Sequence, residues 1–549
     1  MKKLDKTFKI NPLYESDGYK VGHHKMLAPG TTKLYGTWIP RNLKYMPGGI
    51  DKIMSAGQQM VVRHLHSTFA ENFFCNREKA LEFAKDMSAY LGMDYNGEHF
   101  EDLWDLGYLP IRIKALPEGM FTEPNVPHMT FVNTVDGFAW LTLFLETYIS
   151  KMAWQMPTAA TIAHKFRQNA NEWVEKTDRE NMWVTQFMCH DFHARGGNPF
   201  TSIAVGLGHA LSNQGSDTLN VIPASRYYYD EPEDNVVINS VNASEHSVST
   251  TKIFTVGEQQ MIADWIKLFP TGMLSVVGDT FSIWEFIEYC RELKEKILAR
   301  DGKIICRPDS GNPVDIICGN AHRVQGFTEG VLKKVGEGGV VYHYVDKKYY
   351  RVFSDHNGEV YGDVVLDSDI APEQKGVIEL LWDIFGGTVN EQGYKVLDPH
   401  IGAIYGDSLN LERQVDIYSR LEAKGFAASN VVLGVGSFTY VMLTRDSAGY
   451  AAKGSWFEVE EEFWSSPESL EVGVRTVSYN IYKDPITDDG TKISRKGLLQ
   501  VTQDDEGGCV VKEQCTWEEE HEGMLRIIYE DGDFHNQETL TEIRERLNN

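Results

Sequence analysis

The sequence predicts an α/β protein in which a middle segment of parallel βα units is combined with a second, partly β domain. From about 160 to 445 one pattern recurs: a short apolar run, a loop with a charged residue beside Gly or Ser, and a helical pattern. Such repetition is typical of a parallel sheet covered by helices. Residues 1–150 and 450–549 are richer in turns, aromatic residues and alternating patterns, which predicts a β-rich domain built from both chain ends.

The clearest βα unit lies within residues 273–300. Leu274 to Val277 form the predicted strand, Asp279 lies in the turn, and apolar residues then recur at helical spacing. Comparable loops are HDFHARGG (190–197), QGSDT (214–218), SEHS (244–247), RPDSG (307–311), IYGDS (404–408) and GVGSF (434–438). Because the carboxyl ends of parallel strands share one edge of a sheet, we expect the charged residues of these loops to gather there.

Two stretches interrupt the pattern. Residues 340–365 alternate through three short strands, which predicts an inserted β-meander, and the acidic residues 459–471 have no predicted role. The predicted domain bounds are 1–159 and 451–549 for the β-rich domain and 160–450 for the α/β domain, with the insertion near 325–370.

Composition excludes several partners. The chain has 549 residues, with 53 Lys and Arg against 79 Asp and Glu, and a net charge of -26. Nucleic acid and anionic membrane are therefore poor partners for the surface as a whole, and an anionic small substrate needs a locally basic pocket. The seven cysteines lack a CxxC motif, and no segment approaches the roughly 18 apolar residues of a membrane span. We expect a cytoplasmic protein without disulfides.

Single polar residues in these loops have simple structural explanations. His246 can be a hydrogen-bonded loop histidine, and Asp217 can cap a helix. His190 and His193 have the HxxH spacing of a metal pair, but without a nearby third ligand a structural role is favoured. Taken one at a time, these residues do not define a function.

The whole set of charges at one edge is more informative. It combines arginines, carboxylates and a histidine: Arg195, Asp217, His246, Asp279, Arg307, Asp309, Asp407 and Arg445. Arginines suit phosphate, and carboxylates suit ribose hydroxyls or Mg²⁺. The sequence therefore predicts a site for a phosphorylated sugar.

A series of motifs carries a family resemblance: SDGYKVGHHKMLAPGTTKLYG (16–36), HDFHARGG, GSDT, SVNASEHS, SVVGDTFSIW, RPDSGNP, YGDS, LTRD and YKDP. In order and approximate spacing they resemble the nicotinamide phosphoribosyltransferases of the type II phosphoribosyltransferase family, over almost the whole chain. The resemblance implies an irregular α/β barrel with a β-rich domain, and a homodimer with active sites at the subunit interface. It also implies phosphoribosyl transfer from phosphoribosyl pyrophosphate to nicotinamide, which yields nicotinamide mononucleotide for NAD salvage.

For nicotinamide, the resemblance implies aromatic walls and polar contacts. Phe192 matches the aromatic residue that stacks on the ring, and Tyr19, in the predicted active-site segment 16–36, matches the opposing tyrosine of the other subunit. Asp217 matches the carboxylate that accepts the carboxamide N–H and would repel nicotinate. Arg195 and Ser275 match residues near the carboxamide.

For the sugar and its phosphates, Arg307 matches a phosphate-binding arginine and Asp309 a carboxylate near the ribose hydroxyls. Pro308, which lies between these two residues, and Gly311 and Pro313, which follow them, would restrict the loop. The remaining matches are a ribose contact at Gly406 and Asp407, the 5'-phosphate site at Gly436, Ser437 and Arg445, and basic groups around pyrophosphate or ATP phosphates at Arg41, Lys453, Lys483 and Lys492.

The resemblance also implies ATP as a co-substrate. His246 matches the histidine that ATP phosphorylates, and Glu245 and Asp279 match residues that orient its imidazole. Mg²⁺ is expected near Asp279 and Asp309. The chain departs from the family at Gly402, where an arginine is common.

Two other activities stay open. Nicotinate phosphoribosyltransferase has the same fold and mechanism, and Asp217 argues against it. A metal-dependent barrel hydrolase that uses His190, His193, His246 and Asp309 is more remote, because the sequence lacks the HxH strand-end motif expected there.

Overall fold

The computed structural model describes residues 9–548 apart from 322–340, 346–347, 355–356, 358–359, 367–368, 465–471 and 488–491. The chain divides into two compact units. The first comprises Met1–Thr161, Asn220–Val237 and Leu443–Asn549, and the second comprises Ile162–Leu219 and Ile238–Met442.

The first unit is built on an antiparallel sheet that joins both ends of the chain. Within the described residues its seven strands are, in spatial order, Val472–Asn480, Ala451–Trp464, Thr31–Ile39, Met129–Asn133, Ile111–Ala115, Arg526–Glu530 and Asp533–Phe534. Smaller pairs are Ile53–Met54 with Phe121–Thr122 and Leu498–Gln503 with Cys509–Cys515. In the strand Ile111–Ala115, Ile111, Ile113 and Ala115 face the core, and on the other face Lys114 is buried through its ion pair with Glu520 at 3.1 Å.

The helices of the first unit include a segment from the middle of the chain. They are Pro12–Glu15, Gly18–Lys25, Gln58–Phe69, Ala70–Phe74, Glu78–Leu91, Glu98–Leu106, Ala139–Phe144, Glu146–Met152, Val221–Tyr229, Arg445–Ser447, Trp517–His521 and Leu540–Asn548. The boundary between the units falls within the helix Gln155–Thr177. The sequence pattern assigned Asn220–Val237 to the α/β domain. It joins the first unit because Tyr229 donates to the buried Glu118 at 2.9 Å and Asp230 pairs with Arg63.

The second unit is a curled parallel sheet. Within the described residues its seven strands are, in spatial order, Gly215–Ser216, Cys189–Asp191, Val431–Val435, Ile401–Tyr405, Asp301–Arg307, Thr271–Val277 and Asn242–Ala243, and every neighbouring pair is parallel. Asn239, just before the last strand, forms a bridge to Gly215. The two edges of the sheet therefore meet, and the predicted fold class, an irregular α/β barrel with a β-rich second domain, is confirmed.

Helices connect the strands of this sheet. They are Arg179–Phe187, His193–Gly196, Pro199–Ala210, His246–Val256, Glu258–Leu268, Ile283–Glu292, Lys294–Leu298, Pro313–Cys318, Pro372–Lys375, Val377–Phe385, Leu411–Ala423, Ala428–Asn430 and Ser437–Tyr440. In Ile283–Glu292 the residues at helical spacing, among them Phe286 and Cys290, are buried against the strand residues Leu274 and Val276. None of the helices in the described parts of the chain is long and apolar enough to cross a membrane.

A three-stranded antiparallel sheet interrupts the second unit, with strands Val341–Val345, Lys348–Ser354 and Val360–Val364. Tyr349 donates to Glu379 at 2.6 Å, and Lys424 donates to both groups at 2.8 Å. Lys424 follows the carboxyl end of the helix Leu411–Ala423, so the inserted sheet docks on the side away from the carboxyl ends of the parallel strands. Residues 325–340 of the predicted insertion and 465–471 of the acidic stretch lie outside the described residues.

Candidate active site

The carboxyl ends of the parallel strands place the predicted residues of the second unit at one edge. Those at or just after a strand end are Phe192, Arg195, Asp217, Glu245, His246, Asp279, Arg307, Asp309, Gly406, Asp407, Gly436 and Ser437. Ser275 lies inside the strand Thr271–Val277. The other predicted residues, Tyr19, Arg41, Arg445, Lys453, Lys483 and Lys492, belong to the first unit.

His246 begins the helix His246–Val256 and faces two carboxylates. Its Nε2 lies 3.4 Å from Oδ1 of Asp279 and 3.8 Å from Oδ2 of Asp309, and its Nδ1 lies 3.3 Å from the hydroxyl of Thr280. The side chain is 42% exposed, so a substrate can reach the imidazole. Glu245 is the exposed N-cap residue of the helix, and within the described residues its side chain makes no hydrogen bond to His246. The structure thus brings Asp279, but not Glu245, to the imidazole.

Arg307 and Asp309 form the centre of a charged cluster. Arg307 donates to the carbonyl of Ser244, and burial lowers the pKa of its guanidinium despite the nearby carboxylates. Burial raises the pKa of Asp309; the charge of Arg307 opposes this effect, while Asp279 and Asp407 add to it. Asp279 also accepts the backbone N–H of Asp309 at 2.8 Å, which joins the two loops. Negative charge is therefore crowded at this point, and a bound cation would relieve it.

The inner face of the curled sheet encloses a cavity of about 480 Å³. In the strand Asp301–Arg307 inward positions alternate: Ile305 and Arg307 line the cavity, while the intervening Cys306 belongs to the outer core. Barrels of this kind are usually filled by large side chains. Small residues at inward positions keep this one open: Gly215, Ala243, Ser275 and Gly402.

Phe192 and Asp217 line one end of the cavity. A Cβ atom at Gly434 would come within 2.5 Å of the Phe192 ring, so the ring packs directly on the strand Val431–Val435. The Nε2 of His190 lies 3.0 Å from Oδ1 of Asp217, and the hydroxyl of Ser240 donates to the same oxygen. Burial works to raise the pKa of Asp217, but these hydrogen bonds bring it below its usual value. The carboxylate is therefore ionised at neutral pH.

Two buried polar atoms of the described residues at this end lack partners: the hydroxyl of Ser275 and Nε of Arg307 make no hydrogen bond. The hydrogen bonds to the Asp217 carboxylate, whose side chain is 42% exposed, go to Oδ1 and leave Oδ2 open. Unpaired buried polar atoms cost free energy. A polar ligand in the cavity would satisfy them.

Lys303 lies at the other end of the cavity, next to Gly402. A Cβ atom at Gly402 would lie 3.2 Å from Cδ of Lys303, and burial lowers the pKa of the lysine. The lysine stem thus covers Gly402.

A separate cavity of about 240 Å³ in the first unit gathers four of the predicted basic residues, together with one that the motifs did not indicate. The lining includes Arg41, Lys453, Lys483, Lys492 and Arg495. Neither Arg445, which pairs with Asp446 at 3.2 Å, nor Tyr19, which is 68% exposed, lines it. In a chain of net charge -26, such a concentration of cations suits an anionic ligand.

The histidines of the HxxH pair have different surroundings. His193 is fully buried, with Nδ1 2.6 Å from Oδ1 of Asp191, whereas His190 lines the cavity. Among the residues that the structure describes, no group of three His, Cys, Asp or Glu side chains could hold a metal ion. This separation argues against the metal-dependent hydrolase.

Comparison with known proteins identifies the family. The model of the nicotinate phosphoribosyltransferase (NAPRTase) family matches residues 187–549. The chain belongs to the nicotinate phosphoribosyltransferase family. This family member is 35% identical to the nicotinamide phosphoribosyltransferase of Acinetobacter baylyi over 98% of both chains, and 27% identical to that of Xanthomonas campestris pv. campestris over 97% of both. The family indicated by the motifs is confirmed.

Two solved structures share the fold. Human nicotinic acid phosphoribosyltransferase has a TM-score of 0.51 at 14% identity, covering 98% of this chain and 92% of that chain. Nicotinate-nucleotide pyrophosphorylase from Pyrococcus furiosus has a TM-score of 0.50 at 14% identity, covering 100% and 97%. At these identities the likeness concerns the fold alone.

We predict that Asp309→Asn raises the midpoint of thermal unfolding at pH 7.5. A carboxyl whose folded pKa is raised is stabilising while protonated, and this contribution is lost as pH rises through the folded pKa. The variant avoids that loss, so its advantage should disappear near pH 4. Asp264→Asn is the control of opposite sign, because a hydrogen bond from Lys252 lowers the pKa of Asp264. A less stable Asp309→Asn protein at pH 7.5 would contradict the prediction.

Proposed function

We propose that this family member transfers the 5-phosphoribosyl group from phosphoribosyl pyrophosphate to nicotinamide. Asp217 carries the proposal: it is ionised, held through Oδ1 by His190 and Ser240, and open at Oδ2 beside Phe192. A carboxylate there accepts the N–H of a carboxamide and repels the carboxylate of nicotinate. The names of the two curated relatives support the same substrate, and nicotinate has less support.

In this reaction the ring nitrogen of nicotinamide attacks C1 of the ribose while the bond from C1 to pyrophosphate breaks. The sugar passes through an oxocarbenium-like state, as in glycoside cleavage. Phe192 would stack on the ring and hold its nitrogen in line with C1. Asp309 would accept hydrogen bonds from ribose hydroxyls, and the unpaired Nε of Arg307 would bind a phosphate oxygen.

The acidic residues of the edge fit a substrate-bound Mg²⁺. Asp279 and Asp309 offer the oxygen ligands that Mg²⁺ prefers, and the raised pKa of Asp309 indicates that a cation would be favourable there. Mg²⁺ is ordinarily bound through one or two carboxylates together with substrate phosphates. When bound, it would neutralise charge on the departing pyrophosphate.

ATP would phosphorylate His246. Carboxylates next to Nε2 favour the tautomer with a proton on that nitrogen, which leaves a lone pair on Nδ1. This lone pair would turn from the hydroxyl of Thr280, 3.3 Å away, to attack the γ-phosphorus. The N–P bond forms as the bond to the β-phosphate oxygen breaks and ADP leaves. The positive end of the helix dipole at His246 favours the added anion. The cations lining the first unit's cavity would bind phosphates of ATP or of pyrophosphate.

We predict that His246→Ala abolishes ATP hydrolysis and the stimulation of transfer by ATP, leaving a weak transferase. Both rates can be followed in one assay that contains nicotinamide, phosphoribosyl pyrophosphate, Mg²⁺ and ATP. His400→Ala is the control, since His400 also pairs with an aspartate, at 2.7 Å, but lies at the opposite end of its strand. Normal ATP turnover in the His246 variant would refute the phosphohistidine.

We further propose a cytoplasmic homodimer in which Tyr19 of one subunit completes the ring site of the other. Tyr19 is 68% exposed, which fits this role. Mixing inactive Tyr19→Ala and Asp217→Ala subunits should restore part of the activity, because each heterodimer contains one intact site. Native mass spectrometry would verify that heterodimers form. Heterodimers without activity would count against shared sites.

We predict that Asp217→Asn shifts the substrate preference toward nicotinate. The wild type should prefer the amide by at least roughly a hundredfold, because a lost charge-assisted hydrogen bond costs about 1.5 to 3 kcal/mol and charge repulsion adds to this cost. Asparagine keeps the shape, removes the repulsion and supplies a donor. The test is the ratio of the two kcat/KM values, with Asp264→Asn as the control. An unchanged ratio would mean that Asp217 does not face the carboxamide.

A further inference from the structure

Asp191 is a fully buried carboxylate that lies next to the cavity but does not line it. It ends the strand Cys189–Asp191, between His190 and Phe192, whose side chains line the cavity. Successive side chains of a strand point to opposite faces, so Asp191 lies on the outer side of the cavity wall. The mechanism above gives it no role.

The carboxylate of Asp191 accepts four hydrogen bonds. The backbone N–H and Nδ1 of His193 lie 2.9 and 2.6 Å from Oδ1. The hydroxyls of Ser216 and Thr218 lie 2.9 and 2.7 Å from Oδ2. Burial works to raise the pKa of Asp191, but the contacts with His193 hold it well below the usual range. Both carboxylate oxygens are therefore hydrogen-bonded twice, which fixes His193, Ser216 and Thr218 relative to Asp191.

The four donors flank residues of the nicotinamide site. Ser216 and Thr218 stand immediately before and after Asp217, whose backbone N–H also donates to the carbonyl of Asp191 at 3.0 Å. His193 follows Phe192 directly. One carboxylate therefore holds both the loop that carries the amide acceptor and the loop that carries the ring wall.

We propose that Asp191, acting through Ser216, Thr218 and His193, is a positioning residue that sets the separation of Asp217 from Phe192 and thereby determines nicotinamide binding and the preference for amide over acid. This inference rests on the proposed function. A ring stacked on Phe192 presents its carboxamide to Asp217 only at one separation of the two loops. Misplacement therefore weakens the complex with nicotinamide in particular.

The test uses Thr218→Val, which removes one donor, keeps the volume and leaves the Asp191 carboxylate in place. We expect the nicotinamide KM to rise about tenfold with a smaller change in kcat, and the kcat/KM ratio of nicotinamide to nicotinate to fall. Thr218→Ser, which restores the hydroxyl, should return both values toward the wild type. Asp191→Asn serves as a second variant if it folds.

The control is Thr177→Val. Thr177 is also fully buried in the second unit, and its hydroxyl donates to the carbonyl of Trp173 and accepts the N–H of Ala428. The Thr177→Val variant should have a lower unfolding temperature and an unchanged nicotinamide KM. If Thr218→Val is destabilised in the same way and its KM and substrate ratio are unchanged, Asp191 is merely structural and the inference is overturned. If the wild type forms no nicotinamide mononucleotide in the same assay, it is the proposed function that fails.

Discussion

Parallel pairing of the strands in the second unit is the constraint on which the site depends. Because every neighbouring pair of strands runs in the same direction, their carboxyl ends share one edge. Residues far apart in the chain, such as Asp217, His246 and Asp309, are thereby placed around one opening. Because successive side chains of a strand point to opposite faces, inward side chains shape the cavity and outward side chains pack against helices. Geometry of the backbone thus decides which side chains can reach a ligand.

At this edge of the sheet, burial disfavours the charged forms of basic and acidic side chains alike. Arg307 is partly buried beside several carboxylates, and burial shifts the pKa of Arg307 downward and that of Asp309 upward. Each charge is therefore destabilised by burial and partly compensated by its neighbours. Such an arrangement is costly without a ligand and favourable with one that brings phosphates, hydroxyls and a cation. Although the chain as a whole is acidic, basic side chains are concentrated around the cavity of the first unit.

The sequence allowed the fold class and most positions at the edge to be predicted, since apolar runs such as Leu274 to Val277 are buried strands and the charged residue follows them. Three features were not predictable in this way. Tyr229 contacts Glu118, more than a hundred residues earlier, so nothing local indicated that its helix belongs to the first unit. Glu245 adjoins His246 in sequence, but as an N-cap with extended backbone it is exposed. Asp191 acquires its importance only when a second loop brings hydroxyls to it.

The strand order of the antiparallel sheet in the first unit also affects folding during synthesis. Thr31–Ile39 pairs on one side with Met129–Asn133, but its other neighbour is Ala451–Trp464. At roughly 5–20 residues per second, the ribosome needs on the order of tens of seconds to supply that partner. The second unit has all its described parallel strands between Cys189 and Val435 and can form first. Until synthesis is nearly complete, an unpaired strand edge is exposed, and incomplete chains should aggregate through it.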